Sequence, residues 1–170
     1  TVNAKVTEMS GYYDVYHAIN AYDYKNYSYS GEIEIKNGAN VTANSLDGCG
    51  IRAYDMEISG GSIVNAGSGE EGAASYESNA VYVINELIVT GAELNATAYS
   101  SEGYPSIYTS YLDVGKESKV TSYCTGGHAI YAQELNISAS EVEANVVSEF
   151  ESMAAIFCGY YDAAGCEGTI

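Results

Sequence analysis

The chain has no tryptophan, a single proline, two histidines and only six basic residues among 170. Each shortage excludes something. Nucleic-acid backbones are held by clustered lysine and arginine, and one arginine with five scattered lysines cannot neutralise a row of phosphates. With 23 acidic side chains and a net charge of −17, the surface also repels anionic lipid. No apolar run approaches the length of a membrane span and the start is not signal-like, so membrane insertion is not expected. The chain begins abruptly, which points either to a removed leader or to a piece of something longer. The four cysteines, Cys49, Cys124, Cys158 and Cys166, form no CxxC pair and have no histidine at zinc-finger spacing, which argues against structural zinc. They define no disulfide framework, although a Cys158–Cys166 bridge stays open. A scarcity of proline suits a chain whose amides must donate to backbone ladders almost throughout.

What is present is a repeat. The segments "GIRAYDMEISGGSIVNAG" (residues 50–67), "NAVYVINELIVTGAELNATA" (79–98), "SIYTSYLDVGKESKVTSY" (106–123) and "HAIYAQELNISASEVEANV" (128–146) share one pattern. It reads small-Ile-x-small, a short gap, Leu-x-Ile, a Gly/Ser turn, then Val-x-Ala. Residues 17–44 follow it more loosely, and "TVNAK" at the start matches its last strand. The first apolar residue of each unit falls at Ile19, Ile51, Val81, Ile107, Ile130 and Ile156, steps of about 23 to 32 residues that signify a stacked repeat. A propeller blade needs more residues, and leucine-rich repeats need helical stretches that are absent. Three short strands in roughly 25 residues fit one coil of a β-helix. The expectation is an all-β, right-handed parallel β-helix, a solenoid of about five to six coils with little or no helix. It forms one domain over residues 1–170, a segment of a longer extracellular protein being one reading.

Residues two apart in a strand share a face, so the alternation assigns the core. Inward stacks are expected from Ile51, Val81, Ile107, Ile130 and Ile156, from Ile35, Ile58, Val89, Val114 and Ile137, and from Val41, Val64, Leu94, Val120 and Val142. Small partners are Ala43, Ala66, Ala96, Ala132 and Ala144. Gly60, Gly61 and Gly91 mark the turn after the second strand, where positive φ is often needed. An extra loop at residues 23–31 interrupts the first coil, and the last unit never produces its Leu-x-Ile strand.

Function must come from outward positions. The residue after each anchor reads Arg52, Tyr82, Tyr108, Tyr131 and Phe157, which on successive rungs makes a flat aromatic ladder about 4.8 Å per step. Tyr76, Tyr99, Tyr104 and Tyr123 are placed in loops that border it, and 18 tyrosines with no tryptophan suit polar partners such as sugars. The expected ligand-binding set is Tyr76, Tyr82, Tyr104, Tyr108 and Tyr131. The same stacking also stabilises adjacent strands. A second outward series, Glu34, Glu57, Ile88, Asp113 and Asn136, is partly acidic. Asp47, Glu70 and Glu71 are the candidate metal ligands, with calcium as the one candidate cofactor, although no EF-hand or RTX spacing is present. His17 and His128 share a template position several rungs apart, which assigns each a role in a turn.

Through "HAIYAQELNISASEVEA" and "IRAYDMEISGGSIVNA" the chain resembles β-helical surface proteins of Firmicutes, most closely the clostridial carbohydrate-binding parallel β-helix family. The resemblance covers most of residues 17–157. It implies a fold similar to pectate lyases and binding of acidic plant polysaccharide and calcium. The Asp-Gly-Ile turns of that family are reduced here to "DGCGI" at residues 47–51. A lyase-like elimination needs calcium ligands and a cationic base, and Arg52 is the only cation placed outward on a ladder strand. The expectation is therefore a non-catalytic, secreted or cell-surface bacterial module. Its partner is a polysaccharide, a host or bacterial surface glycan, or a protein. The alternatives are a stalk or adhesin segment that mediates protein contacts, and a pectate-lyase-like enzyme.

Overall fold

The computed structural model describes residues 1–6, 17–25, 28–71, 79–100, 103–147, 153–162 and 165–167. Among them there is no helix. The strands are β1 (Val2–Val6), β2 (Ile19–Asn20), β3 (Asp23–Lys25), β4 (Ser28–Ser30), β5 (Glu32–Ile35), β6 (Asn40–Ser45), β7 (Ile51–Ser59), β8 (Ile63–Ser68) and β9 (Val81–Thr90). They continue with β10 (Glu93–Ala98), β11 (Ile107–Gly115), β12 (Lys119–Cys124), β13 (Ile130–Ile137), β14 (Glu141–Val146), β15 (Ile156–Cys158), β16 (Tyr160–Asp162) and β17 (Gly165–Glu167).

Two parallel sheets run the length of the stack, in the orders β1-β6-β8-β10-β12-β14 and β15-β13-β11-β9-β7-β2, with β5 also on β7. The anchors are in register, Ile19 on Ile51, Ile51 on Val81, Val81 on Ile107, Ile107 on Ile130 and Ile130 on Ile156. "TVNAK" takes its expected place, with Val2 on Val41 and Ala4 on Ala43. The chain is thus a parallel β-solenoid. Four coils are regular, β7/β8, β9/β10, β11/β12 and β13/β14, fewer than the five to six expected. The first coil is interrupted by the β3–β4 hairpin, and β15 is followed by the antiparallel pair β16–β17 instead of a second strand.

The expected first and second strands are joined. β7, β9, β11 and β13 each run through both as one strand of eight to ten residues. Between its inward residues β9 carries one residue more than its neighbours, since Ile51 pairs with Val81 but Asp55 with Glu86. A bulge of this kind frees carbonyls that need other donors. Ser110 Oγ donates to the Ile84 carbonyl at 2.6 Å, and Thr109 Oγ1 lies 3.3 Å from the Asn85 carbonyl and 3.0 Å from that of Tyr111.

The core lies between the sheets. Ile51, Ile58, Val64, Val81, Val89, Leu94, Ile107, Val114, Val120 and Ile130 have no exposed surface. The Leu-x-Ile segments add a further inward row, Met56, Leu87, Leu112 and Leu135. The fifth rung departs from expectation. Ile137 is 39% exposed instead of inward, because among the described residues the unit after it supplies no second strand to cover it. Val142, Ala144 and Ile156, expected in the core, are only partly buried, because β14 and β15 are the terminal strands of their sheets. Cys158 packs against the core as expected, and its sulfur donates to the Gln133 carbonyl at 3.6 Å. The side chain of Cys166 lies outside the described residues.

Candidate functional site

β7, β9, β11, β13 and β15 each place one outward residue directly after the inward anchor, and parallel pairing aligns Arg52, Tyr82, Tyr108, Tyr131 and Phe157 on consecutive rungs. Ring centroids are 5.0 Å apart for Tyr82–Tyr108, 5.1 Å for Tyr108–Tyr131 and 5.2 Å for Tyr131–Phe157, with interplanar angles of 16°, 7° and 14°. Rings side by side in one plane cannot approach so closely, so these are stacked face on face along the axis. The expectation of a flat aromatic face is corrected accordingly. Each ring face is covered by its neighbour, and the ladder presents ring edges and phenol hydroxyls outward. Arg52 continues the stack, its guanidinium carbon 5.6 Å from the Tyr82 centroid and 4.2 Å from that of Tyr22. Burial, followed by the neighbouring Tyr108 phenol, holds the Tyr82 phenol above its ordinary pKa, while Arg52 opposes this.

Beside the ladder lies a cavity of about 560 Å³, lined by Tyr82, Tyr108 and Tyr131 together with Tyr104, Pro105 and Met153, with Asn79 and His128 also reaching it. The loop that carries Tyr104 is pinned from beneath. Cys124 Sγ donates to the Tyr104 carbonyl at 3.3 Å and accepts from the Gly127 amide at 3.3 Å. A Cβ on Gly127 would come within 2.2 Å of that carbonyl, so only glycine permits the approach.

The residue two before each anchor ties one coil to the next. Cys49 N–H donates to His17 Nδ1, Ala154 N–H donates to His128 Nδ1, both at 3.0 Å, and Asn79 Nδ2 donates to the carbonyl of Pro105. Cys49, Ala154 and Pro105 occupy that same position one coil on, and the amide is used as donor where proline offers only an acceptor. The two histidines thus serve the turns, as expected. The same Nδ1 of His128 lies 3.3 Å from the Ala154 carbonyl, so the tautomer decides whether the ring accepts from the amide or donates to the carbonyl. Burial holds this imidazole below the ordinary histidine value, opposed by the hydrogen bond the protonated ring gives to the Ala154 carbonyl. The His128 ring packs 5.0 Å from Phe157.

Of the five tyrosines expected to bind ligand, the structure brings Tyr82, Tyr104, Tyr108 and Tyr131 to one cavity. Tyr76 lies outside the described residues. Tyr99 and Tyr123 do not border the ladder. Tyr123 belongs to β12, on the other sheet, and pairs edge-on with Tyr99 at 6.0 Å. Asn79, His128, Pro105 and Met153 were missed as lining residues, because loop crossings place them and strand alternation does not.

Glu70 and Glu71 are exposed and line a separate groove of about 430 Å³ with Asn65, Asn95, Thr97 and Tyr99, and Asp47 does not line it. In this groove Asn95 Nδ2 donates to Asn65 Oδ1 at 3.0 Å, a hydrogen-bonded row along the rungs. Among the described residues no group of three or more His, Cys, Asp or Glu side chains is gathered as an ion would require, so Asp47, Glu70 and Glu71 are not brought together. Comparison with protein-family models, with curated proteins and with solved structures gives no match for this chain.

Proposed function

We propose that the protein is a non-catalytic binding module, secreted or displayed on a bacterial surface, that holds an extended carbohydrate along the tyrosine ladder. The observation that carries this reading is the cavity along three rungs of evenly spaced phenol edges, walled by Tyr104, Pro105 and Met153. A phenol edge offers a hydroxyl that both donates and accepts, and it loses little entropy on binding. The step of about 5 Å between rungs is close to the length of one sugar ring, so successive hydroxyls would meet successive residues of a chain lying along the axis. The apolar wall would then pack against that chain.

A glycan array read with calcium and with chelator tests the assignment. Binding that persists in chelator supports the ladder alone, calcium dependence brings the acidic loops into the site, and silence supports the second reading. That reading, a rigid stalk, is favoured by the parallel strand pairing that continues through both sheets. In a bound glycan, replacing Tyr108 and Tyr131 together by serine should weaken affinity by about 1–3 kcal/mol. Ile130→Ala, in the core, should instead cost about 2–5 kcal/mol of stability. A folded double variant with full affinity would move the site elsewhere. Sugar release from polygalacturonate, lost in Arg52→Ala, would overturn the non-catalytic reading.

A further inference from the structure

Arg52 is the sole arginine in a chain of net charge −17. Cations on such a surface find carboxylates easily. Lys36 Nζ lies 2.8 Å from Glu34 and 3.8 Å from Glu57, and Lys119 Nζ lies 3.3 Å from Glu141. Among the described residues Arg52 makes no such pair. It is held between the rings of Tyr22 and Tyr82, which engage the guanidinium faces and leave its N–H edge for other partners.

That edge meets an unusual neighbour. Arg52 Nη1 lies 3.1 Å from His17 Nε2. Because His17 Nδ1 accepts the Cys49 N–H, the neutral ring carries its proton on Nε2, and a guanidinium has donors only. Two N–H groups therefore converge. The arrangement is repulsive by itself and becomes favourable when a negatively charged oxygen accepts from both. We propose that Arg52 and His17 form an oxyanion-binding site at the first-coil end of the ladder, taking a carboxylate or a sulfate ester. The site is partly exposed, as are Tyr22 and Tyr82 around it. Burial, and then the Arg52 charge, lower the His17 pKa to about 4, so the ring donates as a neutral group across the physiological range. The inference is independent of the carbohydrate reading, since the two donors would take the same group from any carrier.

The experiment is an NMR titration of nitrogen-labelled protein with acetate and, separately, with sulfate, at constant ionic strength against chloride. Saturable shifts of the Arg52 and His17 side-chain N–H signals are expected with at least one of the two anions, and which one responds separates carboxylate from sulfate. Arg52→Gln should abolish saturation. His17→Asn offers an amide oxygen to the Cys49 N–H, in a position where Asn79 serves another coil, but lacks the Nε2 donor, and it should weaken binding at least tenfold. Shifts equal to those in chloride, or an Arg52→Gln protein that titrates like the parent, overturn the site. An unchanged affinity in folded His17→Asn overturns the two-donor arrangement. If His17→Asn does not fold, His17→Gln in the same titration decides.

Discussion

Protonating His17 would take away the acceptor that holds the Cys49 amide and place a second positive charge 3.1 Å from Arg52. Its folded pKa of about 4 lies below the ordinary 6.5, so the unfolded chain takes up the proton first as pH falls. The stability attached to the neutral ring is complete above pH 6.5, declines between 6.5 and about 4, and declines no further below that. The ring is partly exposed and its field is screened, so the loss is about 1–2 kcal/mol. Urea unfolding of the parent and of His17→Asn across this window should show the two stabilities converging as pH falls. Parallel slopes would mean that the carboxylates alone set the acid limit. Cys49, two residues before the next anchor, is tied to the same feature. Burial pushes its thiol up to about 11, so alkylation at neutral pH should proceed only through opening of the first coil.

At the scale of the element, the turn after each long strand departs from glycine in an informative way. Gly60 and Gly61 adopt φ of 64° and 74°, and the corresponding residues one coil later but one are Lys116 and Glu117, at 55° and 59°. Left-handed backbone costs a residue with a Cβ about 1–2 kcal/mol, and glycine returns part of this through its freer unfolded chain. Lys116→Gly and Glu117→Gly should each raise stability by about 0.5–1 kcal/mol, measured by thermal unfolding, whereas a loss would mean that their side chains hold the turn. These turns also show what was legible beforehand. Strict alternation reveals inward Ile51 and outward Tyr82, because one face of every strand is buried and a slip of one residue would invert it. The ladder and the parallel stack were therefore readable. The β9 bulge was not, since one extra residue looks like ordinary variation in repeat length. Nor was the orientation of the rings. Alternation fixes which side of the sheet a tyrosine occupies, while its side-chain torsions and neighbours decide whether it lies flat or stands on edge. Met153 and Pro105 reach the cavity through loops whose course no periodicity encodes.

For the whole molecule, the same register that stacks rings also stacks charge. Glu32 pairs with Asp55, Asp55 with Glu86, and Glu34 with Glu57, so carboxylates sit one rung apart on the outer face of the long strands. Asn85 donates to Asp55 at 2.8 Å and Lys36 bridges Glu34 and Glu57, which relieves only part of the repulsion. Added salt should therefore raise the melting temperature as the screening length falls from about 30 Å at 0.01 M to about 8 Å at 0.15 M. Glu86→Gln should stabilise more at the lower salt. Destabilisation by salt would instead give the ion pairs of Lys36 and Lys119 the larger weight. The stacked rings have an optical consequence as well. With no tryptophan in the chain, near-ultraviolet absorption and emission come from tyrosine almost alone. Parallel phenols about 5 Å apart couple their transitions, and the twist of the stack makes that coupling chiral. Circular dichroism in the tyrosine band, compared between the parent and the Tyr108→Ser/Tyr131→Ser double variant to remove the share of the other stacked tyrosines such as Tyr29 and Tyr54, is thus a label-free report on the rungs along which a ligand would lie.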